Sequence, residues 1–531
     1  MTSHIEQDTE PTAARAYADA IHWRGRVPME PATFTPDWFD RPRKWKHYAG
    51  HESIPLPDAD TGTVADGLAL REDLGGGYVG RGAAFTLPAL GGMLRDTYGL
   101  VGRRLAIQAN TDVAALPAYP KANWHRGAAS GGGLYPVTVY WVAGPSAPVL
   151  PGVYHYAPHQ HALRPLLTGD VTGDVRTALG VEEGDGFLVL GVKYWHNAFK
   201  YNSFCFHAVS MDVGAEAQAL RTWARSAGLS AELVWFFDEA RLAHLLGLDD
   251  TEGVFAVLPL GGRTDGPGAV TQHSARVAGR DSERSRRVLT FPRVEEMQRA
   301  TRQDGPGRPA PDALAAAVLR PRAALADGSP PVVLPSPRPL AQPLRETLLA
   351  RRSSFGRFDP RTLLTAEELA TTLAAASAAA RDTLSADGLV GLHVYVNHVE
   401  GIPSGTYVFD DGLLRRVDAQ PPGRFLQASY FLANYNLERA GAVVVPTLRT
   451  HAVLDAVGDR GYRLVNATIG AVAQNVYVAS AALGVGSGVA LGFDNVSYVE
   501  QLGLTDDEAP LLIMMLGAER PGSADYRYRL V

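Results

Sequence analysis

Three stretches of this sequence hold residue types that could do chemistry, and they lie far apart along the chain. Lys200 and Tyr201 stand side by side in an aromatic run from Trp195 to His207. An amine next to a phenol can act as a base or a hydrogen-bond donor if desolvation or a neighbouring positive charge lowers its proton affinity. An adjacent Lys and Tyr is also what a surface residue beside a half-buried one looks like. The segment Arg351-Arg352-Ser353-Ser354-Phe355-Gly356-Arg357-Phe358 gathers three guanidinium groups and two hydroxyls. Guanidinium forks make bidentate charge-assisted bonds and the hydroxyl adds a neutral donor, which suits a phosphate; a solvated basic helix end has the same composition. The third stretch, Arg126 to Pro136, contains Ser130-Gly131-Gly132-Gly133 and runs into Val137-Thr138-Val139-Tyr140-Trp141-Val142. Successive glycines let a backbone approach a flat or anionic ligand, because no Cβ intervenes and positive φ is tolerated. A plain turn into a strand is the competing reading.

The elements that must position these residues belong to a chain of 531 residues with 46% hydrophobic content, enough for two or three domains with cores of their own. A charged fraction of 20% argues against wholesale disorder. The formal net charge of -6 provides no general basic surface for nucleic acid or an anionic membrane. Cys205, the single cysteine, excludes an intrachain disulfide and a cysteine-rich metal site, and the histidines lack metal-ligand spacing, so no metal is expected. No apolar run reaches membrane-spanning length, and Met1 to Arg15 lacks the apolar core of a signal peptide, so a cytoplasmic setting is expected. Neither a dinucleotide-binding GxGxxG after a strand, a Walker sequence nor HExxH occurs.

In chain order, residues 1–50 read as a polar arm whose Trp23, Trp38, Trp45 and Tyr48 pin an extended segment onto the body. Residues 51–300 form a first domain, with a helix over Leu87 to Leu100, strands after the glycine loop, at Gly152 to Tyr156, Gly186 to Val192 and Gly253 to Leu260, and a helix from Asp212 to Ala227 stopped by Gly228. Residues 301–343 are a Pro- and Ala-rich linker with one short helix at Asp312 to Leu319, and residues 344–531 form a second domain. The two domains repeat one another. Gly214-Ala215-Glu216-Ala217-Gln218 returns as Gly470-Ala471-Val472-Ala473-Gln474, 256 positions on (470 − 214 = 256). The same spacing relates Gly228 to Gly484, Phe237-Asp238 to Phe493-Asp494, and Leu246-Gly247-Leu248 to Leu502-Gly503-Leu504. Alanine-rich helices resemble each other by composition, but that does not hold a Phe-Asp and a Leu-Gly-Leu in step. The differences between the halves are complementary. The glycine loop has no counterpart at Leu384 to Gly388, the Arg-Arg-Ser element has none at Leu70 to Tyr78, and Gly484-Val485-Gly486-Ser487-Gly488 has none at Gly228 to Glu232.

With an Arg-Arg-Ser element near a domain start, a Ser-x-Gly-x-Leu-Tyr-Pro loop before a strand and a Gly-x-Gly after a long helix, the chain resembles the FMN-binding nitroreductase fold. Within it the chain is similar to the azoline dehydrogenases that make thiazoles and oxazoles in ribosomal peptides. Gly50 to Gly262 and Pro343 to Val531 each resemble one subunit. The resemblance implies an α+β fold in which tandem duplicated nitroreductase-like domains form an intramolecular pseudo-dimer. It further implies one FMN held by Arg351, Arg352, Ser353, Gly484, Gly486 and Ser487 of the second half and by Ser130, Gly131 and Gly132 of the first. Lys200 and Tyr201 match the family's Lys-Tyr pair implicated in proton removal, whereas the second half has Ala456 and Val457 there. The sequence departs from the family at Ala129, where proline is usual, at Asn202, where glycine is usual, and at Phe204, where arginine is usual; Arg460 keeps that arginine in the second half.

Azoline aromatisation removes one carbon-bound proton and one hydride, and no side chain is an electron sink, so the implied sink is FMN, reoxidised by oxygen. The implied partners are an azoline-bearing peptide substrate and a cyclodehydratase complex, with further homo-oligomerisation open. An NAD(P)H-dependent nitro or quinone reductase, a cyclic-dipeptide oxidase and a non-enzymatic docking scaffold are the other readings of the same residues.

Overall fold

The seven residues of the strand Val137–Ala143 are all buried, and their alternation explains why. Val139 and Trp141 enter one apolar cluster with Val209, Val213 and Leu220 of the helix Cys205–Ser226, while Tyr140 and Val142 enter another with Val175, Leu179, Leu242 and Leu245 from two short helices. A strand covered on both faces favours the β-branched and aromatic residues that fill it. It lies inside a six-stranded antiparallel sheet ordered Ile54–Pro55, Ala162–Thr168, Gly152–Ala157, Val137–Ala143, Gly186–Lys193, Glu252–Pro259. A computed structural model describes residues 10–58, 85–108, 118–229, 231–260, 275–319, 330–354, 357–384, 387–505, 507–520 and 525–529.

A second antiparallel sheet has Ala442–Arg449 and Gly391–Val396 at its centre. Val394 and Val444 face the helices Ala366–Leu384 and Gly461–Leu483; Tyr395, Val443 and Val445 face an aromatic cluster with Phe493 and Tyr498. The third sheet joins the chain's end to its first half: Asp525–Arg529 pairs with Gly102–Gln108, which pairs with Ala118–His125.

The spacing of 256 positions recurs in the elements themselves. Gly186–Lys193 matches Ala442–Arg449, and Cys205–Ser226 matches Gly461–Leu483. Glu239–Leu245 with Asp238 at its N-cap matches Asn495–Leu502 with Asp494 at its N-cap. Gly228 and Gly484 have φ of 76° and 73°, and Gly247 and Gly503 have 67° and 59°. The two long helices, Cys205–Ser226 and Gly461–Leu483, cross at Gly214 and Gly470. A methyl at Gly214 would overlap the Ala467 carbonyl and one at Gly470 the Met211 carbonyl, so this close crossing admits only glycine.

Several expectations need correction. The long helix begins at Cys205, not Asp212, because Cys205, Phe206 and Val209 already face the core. The segment expected as a helix at Asp312 to Leu319 is a 3-10 turn over Ala313–Ala317. The region read as a linker is not a bare spacer, since Val332–Val333 adds to the second sheet beside Leu413–Asp418. The arm is not simply extended: Ala13–Trp23 is a helix that buries Ala14, Tyr17 and Ile21. Trp45 stacks on His159 at 4.8 Å and Tyr48 is buried, but Trp23 and Trp38 remain about half exposed.

The arm also fills a gap. Arg460 lies 4.5 Å over the Phe237 ring and donates to the Trp235 carbonyl. At the corresponding place Phe204 replaces an arginine. There Arg24, just past the arm helix, lies 5.0 Å over Phe204 and 5.6 Å over Phe493 and donates to the Leu491 carbonyl. Trp235 and Leu491, like Phe237 and Phe493, keep the same spacing.

Candidate active site

The glycine loop folds as one 3-10 turn over Gly131–Gly133, with φ of 63° at both Gly132 and Gly133. Asp212, on the long helix beneath, fixes its start: Gly131 N–H donates to Oδ1 at 2.7 Å and the Ser130 hydroxyl donates to Oδ2 at 2.7 Å. Burial pushes the Asp212 carboxyl up to about 7, against the lowering effect of these two donors. Sequence reasoning missed this residue. Its signal is a carboxylate on a buried helix, where the second half has Thr468. Tyr135 closes the turn at φ 53°, its ring 4.2 Å from the Arg126 guanidinium, which faces Tyr98 at 4.3 Å on the other side.

Lys200 and Tyr201 end the helix Trp195–Tyr201, which breaks at Asn202 with φ 42°. The Lys200 ammonium donates to the Tyr201 hydroxyl at 2.9 Å. Both groups point at the glycine turn, since a Cβ on Gly132 would lie 2.7 Å from Lys200 Nζ and 2.7 Å from the Tyr201 oxygen. Any side chain at 132 would therefore displace the pair. Two parts of the chain, read apart in the sequence, thus meet at one spot.

The second half reaches the same loop. Gln474, on the other long helix, accepts from Ala129 N–H at 2.9 Å. Arg351 donates from Nε to the Gly127 carbonyl at 2.7 Å and from an Nη to the Arg126 carbonyl at 3.0 Å, so its guanidinium braces the loop's approach. Arg352 makes a two-pronged pair with Glu519. The Ser353 hydroxyl is 2.7 Å from the Tyr477 hydroxyl, and Ser354 N–H donates to the Ser487 carbonyl at 2.8 Å. The Ser354 hydroxyl is buried with no hydrogen-bond partner among the described residues. Gly484 is the left-handed cap of the helix Gly461–Leu483, with open space where a Cβ would stand. Gly486 is glycine for another reason, because the Glu519 side chain occupies the place of its Cβ. The structure therefore groups Ser130, Gly131, Gly132, Lys200 and Tyr201 around the turn, and Arg352, Ser353, Gly484, Gly486 and Ser487 at the second half's end. Arg351 spans the two.

The counterpart regions Leu70 to Tyr78 and Ser385-Ala386 lie outside the described residues. One side-chain cluster was not legible in the histidine spacing. His196, Asp281 and Glu283 bring ligand-type atoms within 4.8 Å of one another, with the Lys193 ammonium on both carboxylates at 2.5 Å. Among the described residues no helix is long and apolar enough to cross a membrane.

Known proteins match this architecture. Residues 348–518 match the model of the Nitroreductase family. A nitroreductase-type protein of Methanocaldococcus jannaschii is 30% identical over 138 residues, covering 25% of this chain and 68% of the relative. The crystal structure of a nitroreductase-type protein from Anabaena variabilis superposes with a TM-score of 0.71 at 20% identity, over 96% of this chain and all of the other. A chain of the E. coli microcin synthetase McbBCD complex with truncated pro-MccB17 bound gives a TM-score of only 0.29 at 19% identity, over 48% of this chain and 95% of that one, which is too slight a likeness to carry weight. With residues 348–518 matching the family model and a relative 30% identical over 68% of its length, this chain belongs to the nitroreductase family, an oxidoreductase class whose members typically bind flavin.

Proposed function

We propose that the chain is a fused pair of nitroreductase-like subunits that builds one FMN site between its halves and uses it to oxidise azoline rings of a ribosomally made peptide to azoles. The observation that carries this reading is the convergence of Lys200 and Tyr201 on Gly132. A reductase that takes hydride from NAD(P)H needs no such base, whereas aromatisation needs a proton acceptor facing the ring that loses hydride.

The residues present fit FMN. The glycine turn offers a surface without Cβ atoms to a flat ring edge, and Gly132 sets that surface directly before the amine and the phenol. At the other end, the Ser354 hydroxyl, unpartnered among the described residues, the Ser353 hydroxyl and the open Gly484 cap suit a phosphate, with Arg352 exchanging Glu519 for it. Arg351 serves that phosphate only by releasing the carbonyls it now braces. Bound there, FMN would supply the two-electron sink. The protein's own contribution is to orient and to move a proton. Lys200 or Tyr201 accepts the proton from the azoline carbon, the bond between them passing charge from one to the other, and Asp212 keeps the turn in register. The peptide substrate and a cyclodehydratase partner belong to the same reading.

Purified protein should be yellow, and Lys200→Ala and Tyr201→Phe should remain folded and yellow yet lose on the order of a hundredfold or more in azole formation from an azoline peptide. Near wild-type turnover in both variants would show the pair to be structural. The nitroreductase-type relatives favour a second reading, NAD(P)H-driven nitro or quinone reduction, which bleaching of the flavin by NADPH in the absence of peptide would support.

A further inference from the structure

Of the 50 Lys and Arg residues in this chain only five are lysine: Lys44, Lys46, Lys121, Lys193 and Lys200. The distinction matters chemically, because a lysine can give up its proton near neutrality and an arginine does not. Two of the five meet at one turn from positions far apart in sequence. Lys200 faces Gly132, and Lys44, on the arm, donates from Nζ to the carbonyl of Gly133 at 2.9 Å.

The arm holds Lys44 there firmly. Trp45 stacks on His159, the Lys46 ammonium is buried against Tyr140 and Glu252, His47 N–H donates to Asp281, and the Lys44 carbonyl itself accepts from Arg126 at 3.0 Å. The charged groups facing its amine are cationic: Arg126 beside the turn, Arg41 on the arm, and Lys200. The Tyr201 hydroxyl completes the set, and Asp212 beneath the turn is already engaged by Ser130 and Gly131. Among the described residues Lys44 has no carboxylate partner. Burial, with these three cations, brings it from 10.5 down to about 8.

We propose that Lys44 is a second proton-exchanging amine of this site, taking over the proton that Lys200 or Tyr201 accepts from the azoline: one C–H bond breaks and its electron pair becomes the new ring double bond, the proton ends in an N–H bond on neutral Lys44, and the C–H electron pair of the adjacent carbon would leave as hydride to the flavin. This rests on the flavin reading above for its substrate, but not for the acidity of the amine. Two measurements on the full-length flavoprotein separate them. Trace acetic anhydride labelling from pH 7 to 11, mapped by mass spectrometry, should show Lys44 reacting with a midpoint near 8. A midpoint near 10.5, or an amine unreactive throughout, overturns the inference. Second, Lys44→Met and Lys44→Arg should both keep flavin and both lose about a hundredfold in azole formation. Retention of rate by Lys44→Arg, which keeps the charge but not the exchangeable proton, also overturns it. If the wild type forms no azole while the labelling midpoint lies near 8, the azoline reading fails and the amine assignment stands.

Discussion

At the residue scale, Arg351, Arg352 and Asp212 differ in what their partners ask of them. Arg352 is partly exposed and bound to a single carboxylate, whereas Arg351 is buried on two backbone carbonyls. Removing Arg351 takes this donor from the Arg126 carbonyl and leaves the Gly127 carbonyl with only the longer bond from Gln474 Nε2 at 3.3 Å, which costs about 1–3 kcal/mol. Arg351→Met should thus lower Tm as well as flavin content, while Arg352→Ala and Ser353→Ala should release flavin with Tm of the flavin-free protein nearly unchanged; equal Tm losses in all three would contradict this division. Asp212 predicts a pH effect. Its folded value of about 7 lies above the ordinary 3.8, so between those values the folded state holds a proton that the unfolded state has released. Stability from this group is therefore present at low pH and lost as pH rises towards 7, by on the order of 4 kcal/mol. The Tm advantage of wild type over Asp212→Asn should shrink from pH 5 to pH 8, and a constant difference would refute the assignment.

At the scale of elements, the crossing of the two long helices and the arm bear separate loads. The glycine pair permits backbone contact, so Gly214→Ala or Gly470→Ala must push the helices apart, an overpacking worth on the order of 3 kcal/mol. Each variant should denature at clearly lower urea concentration, and unchanged midpoints would mean the crossing is looser than it looks. Arg24 supplies from the arm the guanidinium that Phe204 no longer provides. Arg24→Met should therefore destabilise the chain, and adding Phe204→Arg, the residue type standing at Arg460, should recover part of the loss. No recovery in the double variant would separate the two positions.

For the whole molecule, the halves are unequal in chemistry though alike in framework. The glycine turn, Asp212 and the Lys-Tyr pair belong to the first half; the Arg-Arg-Ser element belongs to the second, and Gln474 and Arg351 tie the two together across the loop. One flavin per chain is the expected stoichiometry, measured as absorbance near 450 nm against protein. Two per chain would mean that the second pseudo-symmetric position is also complete. The end of the chain contributes to this unity, since Asp525–Arg529 adds a strand to the first half's Gly102–Gln108.

What the sequence determined by itself were the periodic and local features. The run Val137 to Val142 reads as a strand, Gly228 stops its helix, and the 256-position register exposes the repeated framework. It also singled out the residues around the turn, because a triple glycine and an adjacent Lys-Tyr pair are each distinctive, although they stand far apart along the chain. Tertiary structure decided which of them touch. That Arg351 is occupied by carbonyls, that Gly486 makes room for Glu519, that Asp212 anchors the loop and that Lys44 reaches Gly133 all depend on segments tens to hundreds of residues apart packing together. Hydrogen-bond partners and desolvation are properties of that packing, and neither composition nor spacing along the chain encodes them in legible form.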